Sequence, residues 1–462
     1  MPQSHLQPLV LVTTTFYPHA VVGSVRAANW ARMLPDLGWK PIVLSRWYGP
    51  TATRDLLDRN VHRDCDVIYV DGPWAWQSQH QRDAAILASG VDPNRPAAAS
   101  TAPPPRRSPL ARAKAALGRL ELTRPILVPA PSILFWRANA PRVRQIVAEA
   151  GATMLITCGP PHSVHTVGFE GRTTPWVLDF QDPYLMDVRF RPQGASGLLT
   201  RRRHIEFKRR CIDGASALIQ ANAFHERWVR LRFPEARPKC RLLEPVCPRD
   251  ILEGTLEPDL PPPGVRSIRV VGFIADEESL ILAQAVRTLA DRTGVPLELR
   301  FVGKPPATAG AIVGILGSRA VFTGPLVHEQ AKRQILGADV LVSYLSAYRS
   351  TYHGISSKLY EFVAARKPII HINPTAPDRH LLRQLPHVDV LTAPTPDQLG
   401  VALERALTPQ AVQRAATDPG VRAFLASHSW QSHADQLARI LRTAAASRQP
   451  DEPSACPVPT GA

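Results

Sequence analysis

The chain of 462 residues contains no run near the roughly 18 consecutive apolar residues that a membrane-spanning helix needs. Its opening, "MPQSHLQPLVLVTTTFYP", lacks a basic start, and its apolar run is too short for a secretory signal. That run reads as a first strand, and the expectation is a cytoplasmic protein. Cysteine is scarce. Cys65, Cys158, Cys211, Cys240, Cys247 and Cys456 show no disulfide-like spacing, which suits a reducing compartment. Acidic residues number 39 against 55 Lys and Arg, and the resulting net charge of +16 points to anionic partners. Charge alone does not choose among phosphates, acidic lipids and nucleic acid. Aromatic residues are not interleaved with the basic runs, so nucleic acid is not expected.

What the sequence does contain is alternation. Short, nearly all-apolar runs at 8–15, 41–45, 66–70, 153–157, 176–180 and 217–220 recur at 267–271, 297–302, 320–323, 339–343 and 368–372. Runs of this length suit strands buried on both faces of a parallel sheet. Helical stretches such as Arg26–Leu37 and Glu278–Arg292 lie between them. The pattern predicts an α/β fold with two doubly wound parallel-sheet domains. Proline marks the breaks: "EGTLEPDLPPPGVRS" (253–267) reads as an interdomain linker. The segment at 92–125 reads as an insertion, disordered over about 92–108 and then a basic helix through Arg106, Arg107, Arg112, Lys114 and Arg119. A second basic run, "RRRHIEFKRR" (201–210), also lies in the first half. The basic helix fits either an anionic membrane surface or plain solvation.

The stretch "YHGISSKLYEFVAARKPIIHINP" (352–374) runs from a small-residue turn through a short helix to a strand. With a helix starting at Ser357, Leu359, Phe362 and Val363 form an apolar stripe. Glu361 then lies about 200° from Leu359 at 3.6 residues per turn, facing solvent or an interdomain cleft. The preceding turn favours the cleft. Gly354, Ser356 and Ser357 offer close backbone approach and free N–H groups at a helix N-terminus, and Lys358 adds charge. A carboxylate one turn deeper can accept hydrogen bonds from both hydroxyls of a ribose. Diphosphate at the helix tip and ribose on the carboxylate describe a nucleotide-diphosphate site.

Other motifs carry two readings each. In "LDFQDP" Asp179 and Asp182 stand at a strand's carboxyl edge, where Asp182 either faces a ligand or caps the next helix. "CGPPHSVH" groups Cys158, His162 and His165; a zinc reading lacks a fourth ligand, and a cleft-lining His162 is preferred. Asp64 and Asp66 imitate a metal-binding Asp-x-Asp but open an early strand, so Asp66 reads as a strand-edge residue and no metal site is expected. "VVGSVRAANW" is a strand-to-helix turn whose Gly23 and Arg26 either approach phosphates or are merely structural.

"SSKLYEFVAARKPII" resembles the nucleotide-sugar motif of glycosyltransferase family 4, in its cell-surface polysaccharide branch. "TTTFYPHAVVGSVRAANWARMLPDLGWKPIVLS", "TCGPPHSVHTVGFEGRTTPWVLDFQDPY", "VVGFIADEESLILAQAVRTLADRTGVPLELRFVGK", "FTGPLVHEQAKRQILGADVLVSY" and "SWQSHADQLARIL" resemble further family segments in the right order. The resemblance implies the GT-B fold of two facing Rossmann-like domains. Residues 1–252 would form the acceptor-side domain, 253–266 the linker, 267–427 the nucleotide-sugar donor domain and 428–445 a closing helix, followed by a disordered tail at 446–462. It implies retaining sugar transfer from a nucleotide diphosphate sugar to a glycan or polyprenyl-linked acceptor, without a cofactor or an essential metal. Glu361 would hold the donor ribose, and Gly354, Ser356, Ser357 and Lys358 its diphosphate. Gly23 and Arg26 would approach the same phosphates, with Gly272, Gly303, Lys304 and His353 also on the donor side. Lys358 would act catalytically on the leaving group, and Asp182 and His162 would shape the acceptor side. Three positions depart from the family: His353 stands where a second glutamate is common, Gln181 where a histidine is, and "GFIADEES" is acidic where a cation is usual. Lys304 or Arg349 would substitute for that cation. The alternative is an inactive GT-B protein that binds nucleotide or serves as scaffold for another glycosyltransferase.

Overall fold

The structure, a computed structural model, describes residues 6–16, 22–46, 65–71, 75–78, 128–130, 132–169, 174–185, 194–344, 356–385 and 387–447. The insertion at 92–108, the basic helix at 106–119, Arg349, His353, Gly354 and the tail from 448 lie outside them.

The first half alternates as its apolar runs imply. Its elements are β1 (Gln7–Thr13), α1 (Val22–Met33), β2 (Trp39–Arg46), β3 (Asp66–Asp71), β4 (Ala75–Ser78), α2 (Ile133–Glu149), β5 (Met154–Gly159), β6 (Trp176–Phe180), α3 (Gly194–Gly214), β7 (Ala217–Gln220), α4 (Ala223–Arg232) and β8 (Cys240–Leu242). A 3-10 stretch, His162–Gly168, follows β5. Among the described residues the sheet order is β4-β3-β2-β1-β5-β6-β7-β8, parallel apart from β4. Leu9 through Val12 are fully buried, as a strand covered on both faces requires. Asp66 opens β3 at its exposed end, 3.1 Å from Lys40, consistent with a strand-edge residue.

After α5 (Arg249–Leu252), no helix or strand forms until β9 (Arg266–Val271). The second sheet alternates β9, α6 (Asp276–Thr293), β10 (Leu297–Val302), α7 (Ala309–Leu316), β11 (Ala320–Gly324), α8 (His328–Leu336), β12 (Val340–Tyr344), α9 (Ser357–Ala364), β13 (Ile369–Ile372), α10 (Ala376–Leu382) and β14 (Val388–Leu391). Its order among the described residues is β11-β10-β9-β12-β13-β14, all parallel. Helices α11 (Pro396–Ala406), α12 (Pro409–Thr417), α13 (Pro419–Ser427) and α14 (Trp430–Ala446) close the chain. The last of these crosses back: Leu437, Ile440 and Leu441 enter the core of Leu9 and Trp30, and Trp30 Nε1 donates to His433 Nε2 at 3.0 Å.

The basic run 201–210 is not uniformly solvated. Arg201, Arg202 and Arg203 are exposed, while His204 and Lys208 point inward on α3 and are buried. No helix among the described residues is long and apolar enough to cross a membrane.

Candidate functional site

Strand order reverses between β1 and β5 in the first sheet and between β9 and β12 in the second. Ligands of doubly wound folds lie outside the carboxyl ends of the strands at such reversals. At the second reversal β9 ends into Gly272, whose φ is +103°, and neighbouring β10 ends into Gly303, whose φ is +126°. A Cβ on Gly272 would come within 2.6 Å of Lys358 Cε, and one on Gly303 within 3.3 Å of the Gly272 carbonyl oxygen. Only glycine gives this backbone and this proximity together. The Lys358 side chain therefore lies across bare main chain at the sheet edge. Phe273 is 64% exposed and tilts toward Tyr344, the last residue of β12, with ring centroids 6.3 Å apart.

Helix α9 begins as expected. Ser356 is its N-cap in extended conformation, its hydroxyl makes no capping bond, and Leu359, Phe362 and Val363 are fully buried. The first N–H groups of such a helix have no partner within it. Glu361 lies off the buried stripe, and its side chain is 15% exposed. Burial pushes its carboxyl upward. A hydrogen bond from His328 and the charges of His328, Lys358 and Lys332 outweigh that effect and hold it below the ordinary range. His328 Nε2 sits 3.3 Å from Glu361 Oε1, and Lys332 pairs with Asp250 of α5 at 2.6 Å. His328 and Lys332, four apart on α8, went unread in the sequence. Their spacing puts them on one helix face, but only packing brings that face to α9. Gly354 and His353 lie outside the described residues, and Lys304 is exposed beside Gly303.

In the first domain Gly23 opens α1 against Thr15, just beyond the β1 end of the other reversal. Arg26, expected to face phosphates, instead spans Asp179 with two bonds of 3.0 and 3.1 Å and donates to the Leu243 carbonyl at 2.8 Å. Asp179 is fully buried; burial raises its carboxyl pKa, and Arg26 offsets part of the rise. His162 is buried against His165, Phe180 and Tyr184. Cys158 is buried beside Asp179, and His165 Nδ1 lies 2.9 Å from Thr157 Oγ1. No cluster of three His, Cys, Asp or Glu able to hold a metal occurs among the described residues. Asp182 is half-buried, and its carbonyl accepts from the Tyr184 N–H at 2.7 Å. That loop is held from below: Lys208 Nζ donates to the Tyr184 carbonyl at 3.3 Å, and Tyr184 Oη lies 2.6 Å from His204 Nδ1.

The two halves meet through a polar strap. Glu244, next to the carbonyl that Arg26 holds, lies 3.3 Å from His428, which stacks on Phe424 and touches Tyr360, the neighbour of Glu361. Asp179, near the end of β6, and Glu361 on α9 are thus joined by contiguous contacts.

No protein-family model and no curated protein matches the sequence. Solved structures resemble it along its length. A glycosyltransferase from Rickettsia africae is 11% identical, with 95% of this chain and 98% of that one covered at a TM-score of 0.58. WaaG, a glycosyltransferase involved in lipopolysaccharide biosynthesis, is 15% identical over 94% and 99% of the two chains, with a TM-score of 0.54. HepE from Anabaena, solved in complex with UDP-glucose, is 12% identical over 95% and 100%, with a TM-score of 0.55. Such likeness concerns the fold: the chain has the GT-B fold, two Rossmann-like parallel-sheet domains. Activity belongs to the site rather than the fold.

Proposed function

We propose that this chain is a glycosyltransferase of the family 4 type, moving a sugar with retention from a nucleotide diphosphate sugar to a glycan or polyprenyl-linked acceptor. One observation carries this reading: Lys358 crosses the glycine edge at Gly272 one turn ahead of the half-buried Glu361 carboxylate. In the proposed site the diphosphate lies at the α9 N-terminus, against Ser356, Ser357 and Lys358, beside Gly272, Gly303 and Lys304. The ribose hydroxyls bond to Glu361. As the sugar–phosphate bond breaks, charge grows on the leaving diphosphate, and Lys358 with the helix N–H groups stabilises it electrostatically. Asp182 forms the acceptor side, in a loop braced by Lys208 and His204. Gly23 leaves room at the facing edge, and Arg26 positions Asp179 rather than touching phosphate. His162 supports the same loop from within. The proposed chemistry calls on no cofactor. The UDP-glucose bound to HepE supports a nucleotide sugar as donor. Exposed Leu198 and Leu199 next to Arg201, Arg202 and Arg203 on α3 support docking at an anionic lipid surface carrying the acceptor.

Calorimetric titration of UDP, GDP and ADP into the wild type and Glu361→Ala tests the reading. One nucleotide binding the wild type, and the variant at least tenfold more weakly, is the expected result. A folded wild type that binds none of the three sinks it. A second reading, a nucleotide-binding protein without turnover, rests on the acidic start of α6. Asp276 accepts from the Ala307 N–H at 2.8 Å and Glu278 from Asn373 at 3.1 Å, so these acids serve the fold where a cation would serve catalysis. Release of sugar from the donor whose nucleotide binds separates the two.

A further inference from the structure

We infer that His328 is a positioning residue of the donor site, presetting the Glu361 carboxylate for the two hydroxyls of a ribonucleoside diphosphate; this rests on the proposed nucleotide site.

Glu361 reaches its place from α9, and the group that orients it comes from a different helix. His328 stands at the first position of α8, where its side chain is 31% exposed, and its Nε2 lies 3.3 Å from Glu361 Oε1. A carboxylate on a glutamate arm has free torsions, and bonding both hydroxyls of a ribose needs its two oxygens turned toward the diol. A ring nitrogen on Oε1 removes that freedom before the ligand arrives. It leaves one lone pair of Oε1 and all of Oε2 for the incoming hydroxyls.

The contact is itself anchored. Lys332, one turn along α8, contributes positive charge at Glu361 and is tied to Asp250 on α5, in the segment between the two sheets. Cys247 of that segment also senses the Glu361 charge, and its N–H donates to the His428 carbonyl at 2.9 Å. Two helices and the connecting segment thus converge on one carboxylate. Such a shell suits a group whose orientation matters more than its solvation.

The geometry predicts a selective loss. UDP, GDP, ADP and inorganic pyrophosphate are titrated into the wild type, His328→Leu and His328→Gln, with thermal melting of each protein. His328→Leu is expected to weaken the bound nucleotide about tenfold, the size of one hydrogen bond to a charged group. Pyrophosphate affinity stays unchanged, and His328→Gln, whose side-chain amide keeps an N–H donor, recovers most of the nucleotide affinity. The 2′-deoxy form of that nucleotide binds the wild type more weakly and loses less on His328→Leu. Equal nucleotide affinity in the wild type and His328→Leu overturns the inference while leaving the nucleotide site intact. Equal losses for nucleotide and pyrophosphate, or no rescue by Gln, also overturn it. A wild type that binds no nucleotide overturns both readings together.

Discussion

At the residue scale, Glu361 and Gly272 matter to the proposed site for opposite reasons. Burial pushes the Glu361 carboxyl upward; the His328 hydrogen bond and the positive groups around it bring it below its ordinary value. Gly272 matters for what it lacks. Its φ of +103° disfavours any side chain, and the space a methyl would take is filled by Lys358 Cε. Gly272→Ala is therefore expected to cost about 1–2 kcal/mol of backbone strain, read by urea unfolding, and to push Lys358 off the sheet edge. Nucleotide affinity should fall as well. Because the strain and the collision share one neighbour, Lys358→Ala combined with Gly272→Ala should cost less affinity than the two single losses added. Strict additivity would show that the two do not touch functionally. The turn "GISSKLYEF" pointed to Ser356, Ser357, Lys358 and Glu361 as candidates, because helix period and the free N–H groups of a helix start are local. His328 was not legible, since nothing in its own neighbourhood refers to α9.

At the element scale, the α1–β6 contact is the clearest case of a charge spent on architecture. Arg26 and Asp179, 153 positions apart, form a two-bond ion pair with the carboxylate fully buried. A solvated helix start or a phosphate contact was equally compatible with "VVGSVRAANW"; the deciding fact is that β6 ends opposite α1. Arg26→Met leaves the buried Asp179 without its cationic partner, and a loss of about 3–5 kcal/mol is expected. Asp179→Asn in the same background should return much of that stability, measured by denaturant midpoint at constant slope. No recovery would mean that Arg26 matters through packing over Trp30, whose ring it covers at 4.7 Å. Most strands were legible along the chain as short apolar runs, whereas β4, β8 and β14 were not. β8 has only three residues, and β14 is half-exposed, so neither carries enough burial to leave a pattern.

At the scale of the whole molecule, buried bases set how stability follows pH. Burial lowers His165 and His433 to about 3 and His204 and His387 to about 4. The unfolded chain binds more protons at these sites below about pH 6.5, so stability falls as pH drops from there through 4. Lys208, among Phe180, Tyr184 and Trp228, is lowered to about 7. By the same sign, its contribution to stability rises with pH above about 7. Buried Cys158, Cys211, Tyr184 and Tyr360 are pushed up and oppose that rise once unfolded thiols ionise, near pH 8.5. Melting temperature should thus increase from pH 6.5 to about 8.5. In Lys208→Met this slope should flatten, because no buried amine is left to lose its proton. An unchanged slope in the variant would place the titrating group elsewhere.

The sequence by itself determined the class of fold and the start of α9 with its buried stripe. Both arise from local rules: buried parallel strands need continuous apolar runs, and the buried stripe of α9 follows the 3.6-residue helix period. Tertiary structure alone decided that Arg26 belongs to Asp179, that Lys358 lies over Gly272, that α14 completes the first core, and that His328 faces Glu361. Each of these joins residues from separate elements. Their meeting depends on strand order and helix packing, and neither is encoded in the few residues surrounding any one of them.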